Sequence, residues 1–161
     1  MDATEYDSML TLAAALEAAG DCMAALNEYE RAIKTNHKRP EAYLEAAKML
    51  IRHDGIWESH QQVVPANRGV QYLEHALNQD MNNLPALELL FRAQMHVGEL
   101  YGAVQTASKL MDLSPDSEHW RQQGQRAFAT LEKIPHKMNL LAWQIGPEGI
   151  NKLRKKLVGN A

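Results

Sequence analysis

The sequence predicts an all-α fold, a solenoid built from antiparallel helix hairpins. Three observations carry this expectation. Apolar residues recur at intervals of three and four on either side of a Gly20-Asp21 break, the same pattern returns in register further along the chain, and Ala or Gly takes the positions where two helices must approach closely.

The first hairpin is read from Met9, Leu12, Ala13 and Leu16, then from Ala25, Tyr29, Ala32 and Ile33 beyond the break. Moving 34 residues along the chain carries Met9 to Tyr43, Leu12 to Ala46, Ala13 to Ala47 and Leu16 to Leu50, which is the first helix of a second hairpin. Its second helix matches at 44 residues: Ala25 goes to Gly69, Tyr29 to Leu73, Ala32 to Ala76 and Ile33 to Leu77. An insertion of ten residues therefore separates Leu50 from Gly69. The 34-residue step then resumes, from Gly69 to Ala103, Leu73 to Ala107, Ala76 to Leu110 and Asp80 to Ser114. Gly20 and Gly98 stand 78 apart, two periods plus the same ten.

This layout resembles the tetratricopeptide repeat family, whose two-helix unit sets a large residue, a Leu and a small residue on its first helix, then Ala or Gly, an aromatic and Ala on its second. The resemblance implies a right-handed α-solenoid with repeats at about 6–39, 40–83 and 84–117. Three departures stand out. Phe91 takes a position the family gives to a small residue, Gln94 replaces an apolar one, and the inter-repeat proline occurs only as Pro115, with His37 and Met81 at the equivalent sites.

Residues 118–158 read as a helical cap over the last apolar face, a need shared by solenoid ends. Ser114-Pro115-Asp116 is a helix start, and Trp120, Gly124, Ala127, Phe128 and Leu131 follow as an apolar stripe that stops at Ile134-Pro135. A short helix is expected over Lys137 to Ile145. Pro147 opens another, with Ile150, Leu153 and Leu157 on one side and Lys152, Arg154, Lys155 and Lys156 on the other. Docking of this stripe back onto the solenoid is expected in preference to docking on a membrane.

Composition narrows the function. Hydrophobic residues make up 45% and charged residues 23%, within the range of folded, soluble chains. A formal net charge of −3 disfavours nucleic acid as the main ligand, because phosphate binding needs concentrated Lys and Arg. The lone Cys22 has no partner for an intrachain disulfide and is expected to be a small core residue. The acidic start of the chain and the lack of a long apolar run lead us to expect a cytoplasmic protein without a transmembrane segment.

No catalytic, cofactor or metal site is expected. The seven histidines are scattered, with no pair at the spacing that sets two imidazoles on one helix face. Nor is there a phosphate-cradling Gly-rich loop or a nucleophile elbow.

What the resemblance implies about binding is a concave groove lined by the first helices. The candidate groove residues are Leu10 from the first repeat, Leu44, Lys48 and Arg52 from the second, and Glu88, Arg92, Met95 and His96 from the third. Asp7, Ala14, Glu17, Glu41 and Ile51 flank them, and Lys48, Arg52 and Arg92 are expected to make the middle of the groove basic. A peptide or helix with an apolar anchor and an acidic side suits such a groove. Leu10, Ala14 and Glu45 occupy positions where one subset of the family carries its carboxylate-gripping side chains, so chaperone-tail clamping of that kind is not expected. Trp57, in an insertion at about 54–66, is a candidate secondary contact, because aromatic anchors dominate interfaces.

The function expected is a protein-interaction scaffold or adaptor, in the manner of an assembly factor or chaperone, with self-association left open. The alternative is a non-catalytic recruiting domain of a larger enzyme such as a glycosyltransferase.

Overall fold

The computed structural model describes residues 3–53 and 65–159, and the described chain is all-helical. In order, the helices are α1 (Ala3–Ala18), α2 (Cys22–Thr35), α3 (Pro40–Arg52), α4 (Pro65–Gln79), α5 (Leu84–Val97), α6 (Leu100–Leu113), α7 (Glu118–Glu132) and α8 (Pro135–Val158). The expected insertion, with Trp57, lies outside the described residues except for Pro65 and Ala66, which open α4. The chain forms two compact units that meet in sequence at Leu89 and Leu90, within α5.

In the first unit α1 packs on α2, α2 on α3 and α3 on α4. The Gly20-Asp21 break both ends one helix and starts the next. Gly20 adopts φ +85, a left-handed conformation that a side chain would strain, so its N–H reaches Glu17 O at 2.9 Å while the Asp21 N–H reaches Leu16 O at 3.0 Å. The Asp21 carboxylate then accepts from the Ala24 N–H at 3.0 Å, satisfying one of the orphan donors of α2. Helix α3 is capped differently. Arg39 stands at its N-cap without a side-chain bond, and the hydroxyl of Tyr6, on α1, accepts the Ala42 N–H at 2.9 Å instead.

Long-range bonds define how helices of the two hairpins align. Near the start of α1, Tyr6 meets Ala42 and Asp7 meets Arg39 at 3.0 Å; near its end, Glu17 meets Arg52 at 2.7 Å and His53 at 3.0 Å. The offset is similar at both ends, so α1 and α3 lie side by side and point the same way. Glu30 of α2 likewise bonds Arg68 and Tyr72 of α4. First helices thus neighbour each other, and so do second helices.

The core between them mixes small and large side chains in equal number. Ala13, Ala25, Ala46 and Cys22 are buried with Leu26, Tyr29, Met49 and Leu50, while Tyr6, Met9, Ala32 and Ala42 form a second cluster. Leu12 departs from the apolar pattern read in the sequence. It is 48% exposed, whereas Ala46, the residue 34 further on, is fully buried.

In the second unit α6 packs on α7 and α7 on α8. Gly98 repeats the turn of Gly20, with φ +75 and a Glu99 N–H bond to Gln94 O at 2.9 Å. Gln94, polar where repeat equivalents are leucines, is only 5% exposed. Its burial is explained by the Thr106 hydroxyl, which donates to Gln94 Oε1 at 2.8 Å, and by Gly102, where a Cβ would stand 2.6 Å from Gln94 Nε2. The bulky Phe91 is accommodated edge-on against Trp120, with centroids 5.7 Å apart.

Helix α8 leaves helical geometry at Gly146, just before Pro147, and its second half returns along α7. There Arg154 bonds Glu132 at 2.7 Å, Lys156 bonds Asp112 at 2.8 Å, and Leu157 is fully buried beside Gly124. The closing helix therefore buries its stripe within its own unit.

Two helical glycines should respond oppositely to substitution. At Gly69 a Cβ would meet Ile51 Cγ1 at 3.4 Å, an ordinary contact, so Gly69→Ala should raise stability by about 0.5–1 kcal/mol. At Gly124 a Cβ would stand 2.7 Å from Leu157 Cδ2 and 3.4 Å from Ala107 Cβ. Gly124→Val should cost roughly 1–3 kcal/mol through overpacking. Urea denaturation of both variants measures the two shifts.

Candidate functional site

Of the residues expected to line a groove, Leu10, Leu44, Lys48 and Arg52 lie on α1 and α3 of the first unit. The offset between these parallel helices sets Leu44 and Glu45 level with Leu10. Leu10 is half-buried against both apolar clusters, Leu44 and Lys48 are half-buried, and Arg52 is exposed. Glu88, on the first turns of α5, belongs to the same unit and is half-buried. Arg92, Met95 and His96 belong to the second unit, where Met95 is half-buried and the other two are exposed. Trp57 lies outside the described residues.

The electrostatics of α3 differ from the basic strip read in the sequence. Lys48 Nζ is 2.6 Å from Glu45 Oε1, and Arg52 Nη1 is 2.7 Å from Glu17 Oε1. Each cation thus has a carboxylate within reach, one turn away on its own helix or opposite it on α1. Glu17 is the more enclosed partner, with 13% of its side chain exposed against 60% for Arg52, so the guanidinium is the mobile half.

Beside this face lies a cluster that no local spacing announced. Arg39 stacks over the Tyr6 ring at 4.1 Å and pairs with Asp7 and with Glu41 at 3.2 Å. Burial pushes the Glu41 carboxyl up, but its bonds to Arg39 and to backbone outweigh this and leave it below the usual carboxylate range. On the opposite layer, Arg68 bridges Glu30 and lies 5.7 Å over the Tyr72 ring. Tyr43 of α3 stacks on His75 at 5.4 Å and meets Tyr72 edge-on at 6.1 Å. Arg39–Asp7 joins residues 32 apart and Tyr72–Glu30 residues 42 apart, so only the long-range packing brings these partners together.

Burial pushes the Cys22 thiol up, helped by Glu17 and Asp21, which keeps it in the protonated form of a core residue. Among the described residues, no three His, Cys, Asp or Glu side chains converge on a point that could hold a metal ion, and no helix is long and apolar enough to cross a membrane.

In the second unit a cavity of about 360 Å³ opens between the Gly98–Gly102 turn, Leu131 and the first half of α8. Lys137 donates to Gly98 O at 2.7 Å along its wall. No family model and no curated protein matches this chain.

Two predictions follow from the tyrosines. Tyr6→Phe should leave the buried Ala42 N–H without an acceptor and cost about 1–3 kcal/mol, measured by chemical denaturation. Burial raises the hydroxyl pKa of Tyr29 to about 12, and burial with the Glu30 bond does the same at Tyr72. A group raised in the folded state stabilises fully below its unfolded value, near 10, and loses that contribution as pH climbs toward 12. Stability should therefore fall over that alkaline interval, and Tyr72→Phe should flatten part of the fall. Phenolate absorbance and circular dichroism followed together on alkaline titration check both points.

Proposed function

We propose that this chain is a protein-binding scaffold, a tetratricopeptide-like solenoid that holds a peptide or helix of a partner on the face formed by its first helices. The observation that carries the reading is the parallel pairing of α1 with α3 through Tyr6–Ala42 and Glu17–Arg52. Parallel first helices backed by parallel second helices are the arrangement that repeated hairpins produce, and it exposes one continuous face of first-helix residues.

On that face Leu10 and Leu44 supply partly exposed apolar surface at one level of the two helices. Lys48 and Arg52 supply cations already held by Glu45 and Glu17. An ion pair as exposed as Lys48–Glu45 is worth only about 0–1 kcal/mol, so a carboxylate on the partner can displace Glu45 at little cost, while the exposed Arg52 guanidinium has N–H groups left for a second carboxylate beside Glu17. Specificity then comes from geometry and affinity from the apolar anchor. This supports a partner segment with alternating apolar and acidic residues. Function as a recruiting domain within a larger protein uses the same face and differs only in what is attached.

The test is affinity capture from a cell extract on immobilised wild type and on the quadruple variant Leu10→Ser, Leu44→Ser, Lys48→Gln, Arg52→Gln, with quantitative mass spectrometry. Neutral replacements are used because reversing Arg52 would set a new acid beside Glu17. A protein retained by the wild type and reduced tenfold or more on the variant, at equal helical content, supports the reading. Equal retention on both would sink it.

A further inference from the structure

We propose that the second unit carries a separate docking site, on the first half of α8, for an acidic protein segment that inserts one apolar side chain beside Trp143. Trp143 is 82% exposed and Leu140, one turn before it, is 56% exposed. Leu141, Ile150 and Leu157 of the same helix are instead buried. Leaving an indole almost fully in water next to an exposed leucine is unfavourable against burying them, which marks the pair as a contact surface.

The cavity adjoins this pair. Leu140 lines it together with Lys137 and Gln144 from the same helix, and Leu100, Tyr101 and Leu131 from α6 and α7. Successive turns of α8 thus present a concave, mainly apolar space and, next to it, a projecting aromatic ring. An open cleft of about 360 Å³ suits one large side chain of a partner, with room left for its flanking backbone.

Charge selects the partner. From Lys133 to Gly159 the chain carries six Lys or Arg; Lys152, Arg154 and Lys156 are paired with Glu148, Glu132 and Asp112, which leaves Lys133, Lys137 and Lys155 to face a partner's acids. Lys133 and Lys155 are exposed and have no ionic partner among the described residues, and Lys137 bonds only the Gly98 carbonyl. The cavity wall itself holds one cation, Lys137, and one anion, Glu99, so the pocket recognises shape while the surrounding segment favours acids. A bilayer is the poorer occupant. It offers no protruding side chain for the cavity, and the apolar stripe that a membrane-surface helix would need is already buried at Leu141, Ile150 and Leu157.

The experiment uses the full chain and a displayed library of random peptides selected on the wild type. Enriched peptides are then synthesised and titrated against wild type, Trp143→Ala, Leu140→Ser and the first-helix quadruple variant. Trp143 and Leu140 are exposed, so helical content should be unchanged on replacement. The proposal expects peptides pairing a large apolar residue with Asp or Glu. Their affinity should fall at least tenfold in Trp143→Ala and Leu140→Ser, weaken with added salt, and stay unchanged in the quadruple variant. It is overturned if no enriched peptide depends on Trp143. It is equally overturned if phosphatidylserine vesicles, and no peptide, shield the Trp143 indole, or if sedimentation shows a dimer of this chain that Trp143→Ala dissolves.

Discussion

Close helix approach through small side chains is the constraint on which the rest depends. Ala13, Ala25, Ala32, Ala46 and Ala47 are completely buried in the first unit, as are Ala103, Ala107 and Ala127 in the second. Where two alanines face each other the helix axes can draw together, and the large residues one turn away then fill the flanks. The approach aligns Glu17 with Arg52 and Glu30 with Arg68, and it allows the Tyr6 hydroxyl to reach the first turn of α3. Polar bonds across the layers therefore follow from apolar packing and lock its register.

The second unit solves the same problem with different residues. Gln94 stands level in sequence with Leu16 and Leu50 of the earlier hairpins; its amide oxygen accepts from Thr106, and Gly102 gives the amide room. Phe91 stands level in sequence with the buried Ala13 and Ala47 of the earlier hairpins, and Trp120 takes up its ring. Each departure is matched by a neighbour, as expected when an unpartnered buried amide would cost on the order of 1–3 kcal/mol. Gly124 beside Leu157 plays the part that an alanine pair plays elsewhere, admitting the returning half of α8.

What was legible in the sequence was local. Gly20-Asp21, Pro135 and Pro147 mark helix ends through backbone rules that act within a few residues, and the structure places helix ends there, whereas the start read at Ser114-Pro115-Asp116 falls further on, at Glu118 with Ser117 as its N-cap. Burial of the α8 stripe was readable from helical periodicity, and that of Cys22 from its being a lone cysteine without a disulfide partner. The exposure of Leu12 was not, because periodicity shows that a face is apolar and is silent on whether anything covers it. Nor were the ion pairs of Lys48 and Arg52, since a basic strip in sequence becomes neutral once the fold sets Glu45 and Glu17 beside it. The pocket at Lys137 and Leu140 joins turns nearly 40 residues apart, as the Lys137–Gly98 bond does at 39, and no motif announces it.

The functional account rests on the layer of first helices being the face that a partner occupies. Hydrogen–deuterium exchange on the wild-type chain, free and loaded with the strongest partner it retains, reads this directly. The account predicts added protection over α1 and α3, centred on the peptides containing Leu10, Leu44 and Lys48, with α2 and α4 unchanged. Protection confined to α2 and α4 would contradict it.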